Sequence, residues 1–261
     1  GRGSIIVPCE EPGITEFVDD PTPKWARWGK VDGGPMEGYL TQPEESGEYP
    51  AVVVIQEIWG VNSHIQSVVD RLPALGYVGL APAMFHREGP MTTGLHEELE
   101  TALSRMRRCT DDNIIADVRA AVGYVQAQPF VRGDKIGIVG FCYGGRVSYL
   151  ASCNISVLSA SVVFYGGGIG MALGDGQSPL EQTANISCPM LGLFGEEDAN
   201  PTPEDVANMD AELTKAGKAH EFHTYGGAGH GFHCEARASY RAEAAADAWG
   251  KAMAWFDKHL K

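Results

Sequence analysis

No apolar run in the sequence approaches the about 20 residues needed to cross a bilayer, so no transmembrane helix is expected. Basic residues are few: 20 Lys and Arg face 34 Asp and Glu, a net charge of −14. That balance opposes docking on phosphate backbones or anionic lipid, which excludes a nucleic-acid or membrane-surface protein. Disorder is excluded as well, because 44% of the 261 residues are hydrophobic, enough to build a core that offsets chain entropy. The six cysteines contain no C-x-x-C pair, which disfavours a zinc ribbon or a thioredoxin-type redox site. In a chain this long a disulfide framework is superfluous, and reduced thiols in a cytoplasmic compartment are the simplest reading. The chain opens Gly1-Arg2-Gly3-Ser4 rather than with Met, so processing at this end, removal of an export signal included, stays open.

Glycine, by contrast, is plentiful, with 33 residues, many of them where apolar runs stop. Continuous apolar runs at 51–56, 77–81, 135–139, 158–165 and 189–194 read as strands covered on both faces, the mark of a parallel sheet between helix layers. Helical patterns lie between them at 63–75, 96–108, 111–128, 203–216 and 238–259, with Pro73 expected to end or distort the first. Strand and helix alternate from residue 50 onward, which predicts a doubly wound, mostly parallel α/β sheet with an antiparallel N-terminal edge. Residues 1–34 read as an irregular lead-in and 35–261 as a single domain. Nothing in the composition signals an obligate interface, so a monomer is expected, with a homodimer as the next choice.

Ligands of such sheets collect outside the carboxyl ends of the strands. Four reactive side chains fall just after expected strands: Glu57, Cys142, Asp198 and His230. The sharpest local signal is Gly140-Phe141-Cys142-Tyr143-Gly144-Gly145, a nucleophile elbow of the G-x-S-x-G type with Cys in place of Ser. Such a turn lifts the sulfur above the sheet and aims the N–H of Tyr143 at the same point, as one oxyanion donor. The helix that starts there favours the thiolate. Nucleophile, acid and histidine follow one another in the chain order of α/β-hydrolases. His230 would take the thiol proton and Asp198 fix its tautomer, with Glu196 and Glu197 as competing partners. The Gly-rich turn fits neither G-x-G-x-x-G nor a P-loop, so no nucleotide cofactor is expected. His220, His223, His230 and His233 raise a metal reading, but His220 and His223 point to opposite faces of a strand, His230 and His233 have no acidic or thiol partner at helical spacing apart from Cys234, and no metal is expected. Trp59, Tyr143 and Phe232 flank the site and are candidates for an apolar acyl pocket.

Taken with Gln56-Glu57-Ile58-Trp59-Gly60-Val61-Asn62, Leu193-Phe194-Gly195-Glu196-Glu197-Asp198 and Gly227-Ala228-Gly229-His230-Gly231-Phe232, the elbow resembles the dienelactone hydrolase family of the α/β-hydrolase fold over nearly all of residues 35–260. The resemblance implies a Cys142–His230–Asp198 triad, no cofactor, and an oxyanion hole formed by the N–H groups of Ile58 and Tyr143. It implies that Glu57 contacts the resting thiol and helps switch it to thiolate when substrate binds. It also implies two arginines that hold a substrate carboxylate. One matches Arg87; the other would stand where this chain has Cys234, with Arg237 three residues further on. The reaction expected is the opening of a lactone or enol ester through a thioacyl-enzyme. The departure at Cys234 favours a broader esterase or thioesterase on the same triad. A hydrolase-fold binding protein without turnover is the third reading, and a redox role for Cys142 finds no resolving cysteine in the sequence.

Overall fold

The computed structural model describes residues 24–32 and 34–261. The lead-in expected at 1–34 lies mostly outside them. Its described part is not irregular: Trp25–Val31 forms strand β1, antiparallel to β2 (Gly34–Thr41), with a register shift between Trp28 and Lys30. β2 pairs antiparallel with β4 (Val78–Pro82), and from there every pairing is parallel. The order is β1-β2-β4-β3-β5-β6-β7-β8, with β3 at Tyr49–Ile55, β5 at Val131–Phe141, β6 at Leu158–Phe164, β7 at Met190–Gly195 and β8 at His220–Tyr225.

The five apolar runs become the buried strands, as continuous apolarity requires of a sheet covered on both faces. Val52 and Val54 of β3 pack in one layer with Val68 of α1 (Ser63–Asp70) and Phe256 of α6 (Ala242–Leu260). Val53 and Ile55, pointing the other way, pack with Val118 of α3 (Asp111–Gln126) and Val147 of α4 (Tyr143–Asn154). Helix α5 (Pro203–Lys215) covers β7 through Met209 and Leu213. Helix α1 stops at Asp70, and Pro73 opens a separate 3₁₀ turn, because proline cannot donate the next intrahelical bond. Helix α2 (Leu99–Arg108) carries Leu99, Leu103 and Met106 on one stripe.

This order puts the carboxyl ends of β3, β5, β7 and β8 along one rim of the sheet. Among the described residues Cys109, Cys142, Cys153, Cys188 and Cys234 are all free thiols. No helix among them is long and apolar enough to cross a membrane.

Candidate active site

Cys142 stands between β5 and α4 in a strained conformation, φ 57° and ψ −116°, that non-glycine residues rarely adopt. The strain is fixed from both sides. Its N–H donates to the carbonyl of Phe164 at 3.0 Å, and its own carbonyl accepts from Gly145 and Arg146 at the start of α4. Close approach explains the glycines: a Cβ on Gly140 would fall 1.9 Å from the carbonyl oxygen of Gly144, and one on Gly144 would fall 2.3 Å from that of Ile55. Only bare backbone lets strand, elbow and helix meet so closely.

The sulfur of Cys142 lies 2.9 Å from Nε2 of His230, whose Nδ1 lies 3.0 Å from Oδ2 of Asp198. Asp198 is buried and its other oxygen accepts from the N–H of Asn200 at 2.8 Å; Glu196 and Glu197 are exposed and take no part. Burial alone would disfavour the imidazolium of His230. The adjacent Cys142 sulfur and Asp198 carboxylate outweigh it and push the His230 pKa up to about 10. Tyr165 fixes the ring from the side, edge-on at 5.3 Å.

These groups open onto a cavity of about 340 Å³. Its walls are mostly apolar: Ile58, Trp59, Leu99, Leu103, Met106, Tyr143, Met171 and Leu173. Trp59 thus lines the cavity. Tyr143 begins α4, so its N–H has no intrahelical acceptor. Ile58 sits in the tight turn that the N–H of Gly60 closes on the carbonyl of Glu57.

Phe232 is not a pocket residue. It is fully buried among Phe164, Tyr165 and Tyr225, where it packs the layer under His230. Arg87 does not reach the cavity either. Its guanidinium makes bonds of 2.7 and 3.0 Å to the buried carboxylate of Asp117 on α3 and a third of 3.0 Å to Asp32. Asp117, shared with His86, needs that charge, because a buried carboxylate is costly without counter-ions. Among the described residues, the arginines at the cavity are Arg146 and Arg237. Arg146 is spent on structure: it pairs with both oxygens of buried Asp111 and donates to the carbonyls of Gly168 and Met171, which pins the loop forming one cavity wall. Arg237 remains, with its Nη1 3.8 Å from Oε1 of Glu57.

Glu57 is 1% exposed, and neither of its oxygens has a hydrogen-bond partner. Burial raises its pKa, while Arg237 and His230 oppose the shift. In this conformation the sulfur of Cys142 is engaged by His230, and Glu57 faces Arg237.

The four clustered histidines go separate ways. His220 meets Asp210, His223 meets Glu221, His230 joins Cys142, and His233 stacks on Phe141 at 5.1 Å. A different set can hold a metal ion: Glu57, His96 and Cys234 each offer one donor atom, all within 4.8 Å of one another.

The model of the dienelactone hydrolase family matches residues 36–260. A Synechocystis protein named "Putative carboxymethylenebutenolidase" is 40% identical over 229 residues, covering 87% of this chain and 93% of the relative. A Bradyrhizobium protein named "Probable 2-oxo-3-(5-oxofuran-2-ylidene)propanoate lactonase" is 32% identical over 88% of this chain and 92% of its own. The crystal structure of a "Putative Dienelactone Hydrolase" from Klebsiella pneumoniae superposes with a TM-score of 0.81 at 30% identity, over 90% of this chain and 98% of that one. The chain belongs to the dienelactone hydrolase family of carboxylic ester hydrolases.

Proposed function

We propose that the protein opens a small lactone or activated ester carrying an anionic group, using Cys142 as nucleophile. The observation that carries this reading is the line of hydrogen bonds from Cys142 through His230 to Asp198, laid at the floor of an apolar cavity that Arg237 enters. The thiol proton passes to Nε2 of His230, and Asp198 steadies the imidazolium that results. The sulfur attacks the acyl carbon while the N–H groups of Tyr143 and Ile58 take the developing oxyanion. The C–O bond then breaks, and His230 returns its proton to the leaving oxygen. Water, deprotonated by the same imidazole, attacks the thioester. The acid is released, and the water's proton restores the Cys142 thiol.

A thiolate leaves as readily as it attacks, so the oxygen leaving group must itself be good, as in an enol ester or activated ester rather than an amide. Arg237 would bind the substrate anion. An incoming carboxylate that takes Arg237 leaves Glu57 without its counter-charge, in a site where burial already disfavours the carboxylate. Glu57 would thus report substrate arrival through Arg237.

A second reading has its own support: the leucine and methionine walls suit a neutral ester with an apolar acyl group. Comparing kcat/KM for a dienelactone with that for a neutral p-nitrophenyl ester separates the two. The first reading expects the dienelactone to be preferred and Arg237→Gln to erase the preference. Equal turnover untouched by Arg237→Gln leaves the neutral esterase standing, and full activity in Cys142→Ala overturns both.

A further inference from the structure

Beside the reacting sulfur, Glu57 converges with two side chains, His96 and Cys234, that have no part in the hydrolysis argued above. Glu57 follows β3, His96 precedes α2, and Cys234 follows the His230 turn. One donor atom of each lies within 4.8 Å of the other two. Two features of this cluster point to a cation. The Glu57 carboxylate is buried with both oxygens unpartnered by any hydrogen bond, and its ion pair to Arg237 is long at 3.8 Å. Cys234 is fully buried with its sulfur in the same triangle.

We propose that Glu57, His96 and Cys234 form a binding site for a borderline-soft divalent cation of the Zn²⁺ class. A carboxylate oxygen, an imidazole nitrogen and a thiolate sulfur are the three donor types that Zn²⁺ accepts, with a fourth tetrahedral position for water. Hard cations such as Mg²⁺ would decline the sulfur. Bonds of about 2.0–2.3 Å put tetrahedral ligands about 3.4 Å apart, so donors at most 4.8 Å apart have to close by no more than about 1.4 Å. His96, half-buried where the other two are buried, is the ligand with most freedom to close that distance. On binding, Cys234 gives up its thiol proton to solvent and Glu57 binds as the carboxylate, so the two ligand charges offset the ion. The cation displaces Arg237 from Glu57. The Arg237 side chain is 26% exposed at the cavity, with room to move outward. Occupancy would then neutralise the anion facing Arg237 and His230, which disfavours the imidazolium and suppresses turnover. That last consequence rests on the hydrolytic reading; the binding does not.

The test titrates the full, chelator-washed chain with Co²⁺ and follows the thiolate-to-metal charge-transfer absorption, then displaces Co²⁺ with Zn²⁺. One ion per chain is expected. His96→Ala and Cys234→Ser should each raise the Kd by at least about tenfold, as loss of a direct ligand must cost no less than loss of its supporting contacts. Cys142→Ser should leave the Kd and the absorption unchanged. Absence of the band overturns the proposal. So does a band that survives Cys234→Ser and vanishes in Cys142→Ser, which would put the metal on the Cys142–His230 pair. If Cys234→Ser does not fold, an unaltered Kd in His96→Ala is the overturning result. No substrate enters these measurements, so their failure is distinct from a failure of the hydrolytic reading.

Discussion

Arg237 brings its guanidinium to within 3.8 Å of the buried carboxylate of Glu57, at a place in the chain three residues beyond where the family resemblance sets an arginine. The residue at that earlier place, Cys234, is fully buried. Charge at the cavity is thus supplied by the reach of a longer-range side chain. Losing a hydrogen bond between charged groups costs about 1.5–3 kcal/mol, or roughly 10–100-fold in kcat/KM. Arg237→Gln should show that loss on an anionic lactone and little change on a neutral ester. Steady-state kinetics on both substrates check it.

Gly231 should be as selective as Arg237 itself. Its φ is 76°, and a Cβ there would lie 2.2 Å from Nη1 of Arg237. Gly231→Ala is expected to drive the guanidinium off its position and raise KM for the anionic lactone at least about tenfold, with the neutral ester less affected. Identical substrate profiles for Gly231→Ala and the unaltered chain would contradict this.

The Asp111–Arg146 pair holds the wall loop at Gly168 and Met171, and Asp111 also accepts from the N–H of Leu173. Asp111→Asn leaves a buried guanidinium without its counter-charge. The expected cost is about 3–5 kcal/mol, the range for breaking a buried pair from one side. Urea unfolding gives the value, and a change below about 1 kcal/mol would mean that the loop is held otherwise.

Stability should fall in mild acid. Burial lowers the pKa of His64 to about 4 and of His233 to about 3. Unfolded, both titrate near 6.5, so between that pH and about 4 the unfolded chain binds protons that the folded chain refuses. Stability therefore falls as pH drops through this window, by up to about 1.4 kcal/mol per pH unit for each histidine. His233→Phe keeps the stack on Phe141 and removes one titrating group, which should lower the slope by up to about 1.4 kcal/mol per pH unit. Urea midpoints from pH 7 to 4, with a chelator present, measure it.

Much of this was legible in the residues. Unbroken apolar runs such as 51–56 specify strands covered on both faces, and the glycines at 140 and 144 specify backbone contact at the elbow. What the sequence conceals is where long side chains end. Arg87 follows β4 as an arginine of the clamp would, yet the buried Asp117 on α3 claims it, and nothing local in the chain announces that partner. Phe232 neighbours the His230 loop, but one residue's step turns it into the core. The stripe of Leu99, Leu103 and Met106 has the spacing of any core-facing helix, and only the tertiary arrangement leaves it lining a cavity. The signal for Arg146 was its place in the first turn after the elbow, where α4 is buried on all sides and a charge must be paired.

The central claim is that the sulfur of Cys142 carries the acyl group. Rapid acid quench of the protein with an activated ester, followed by mass spectrometry of its peptides, tests this most directly. The account predicts one acyl group per chain on the peptide containing Cys142, lost in Cys142→Ala and accumulating in His230→Gln wherever deacylation slows more than acylation. Turnover of the ester with an acyl group on another residue, or undiminished turnover in Cys142→Ala, would contradict it.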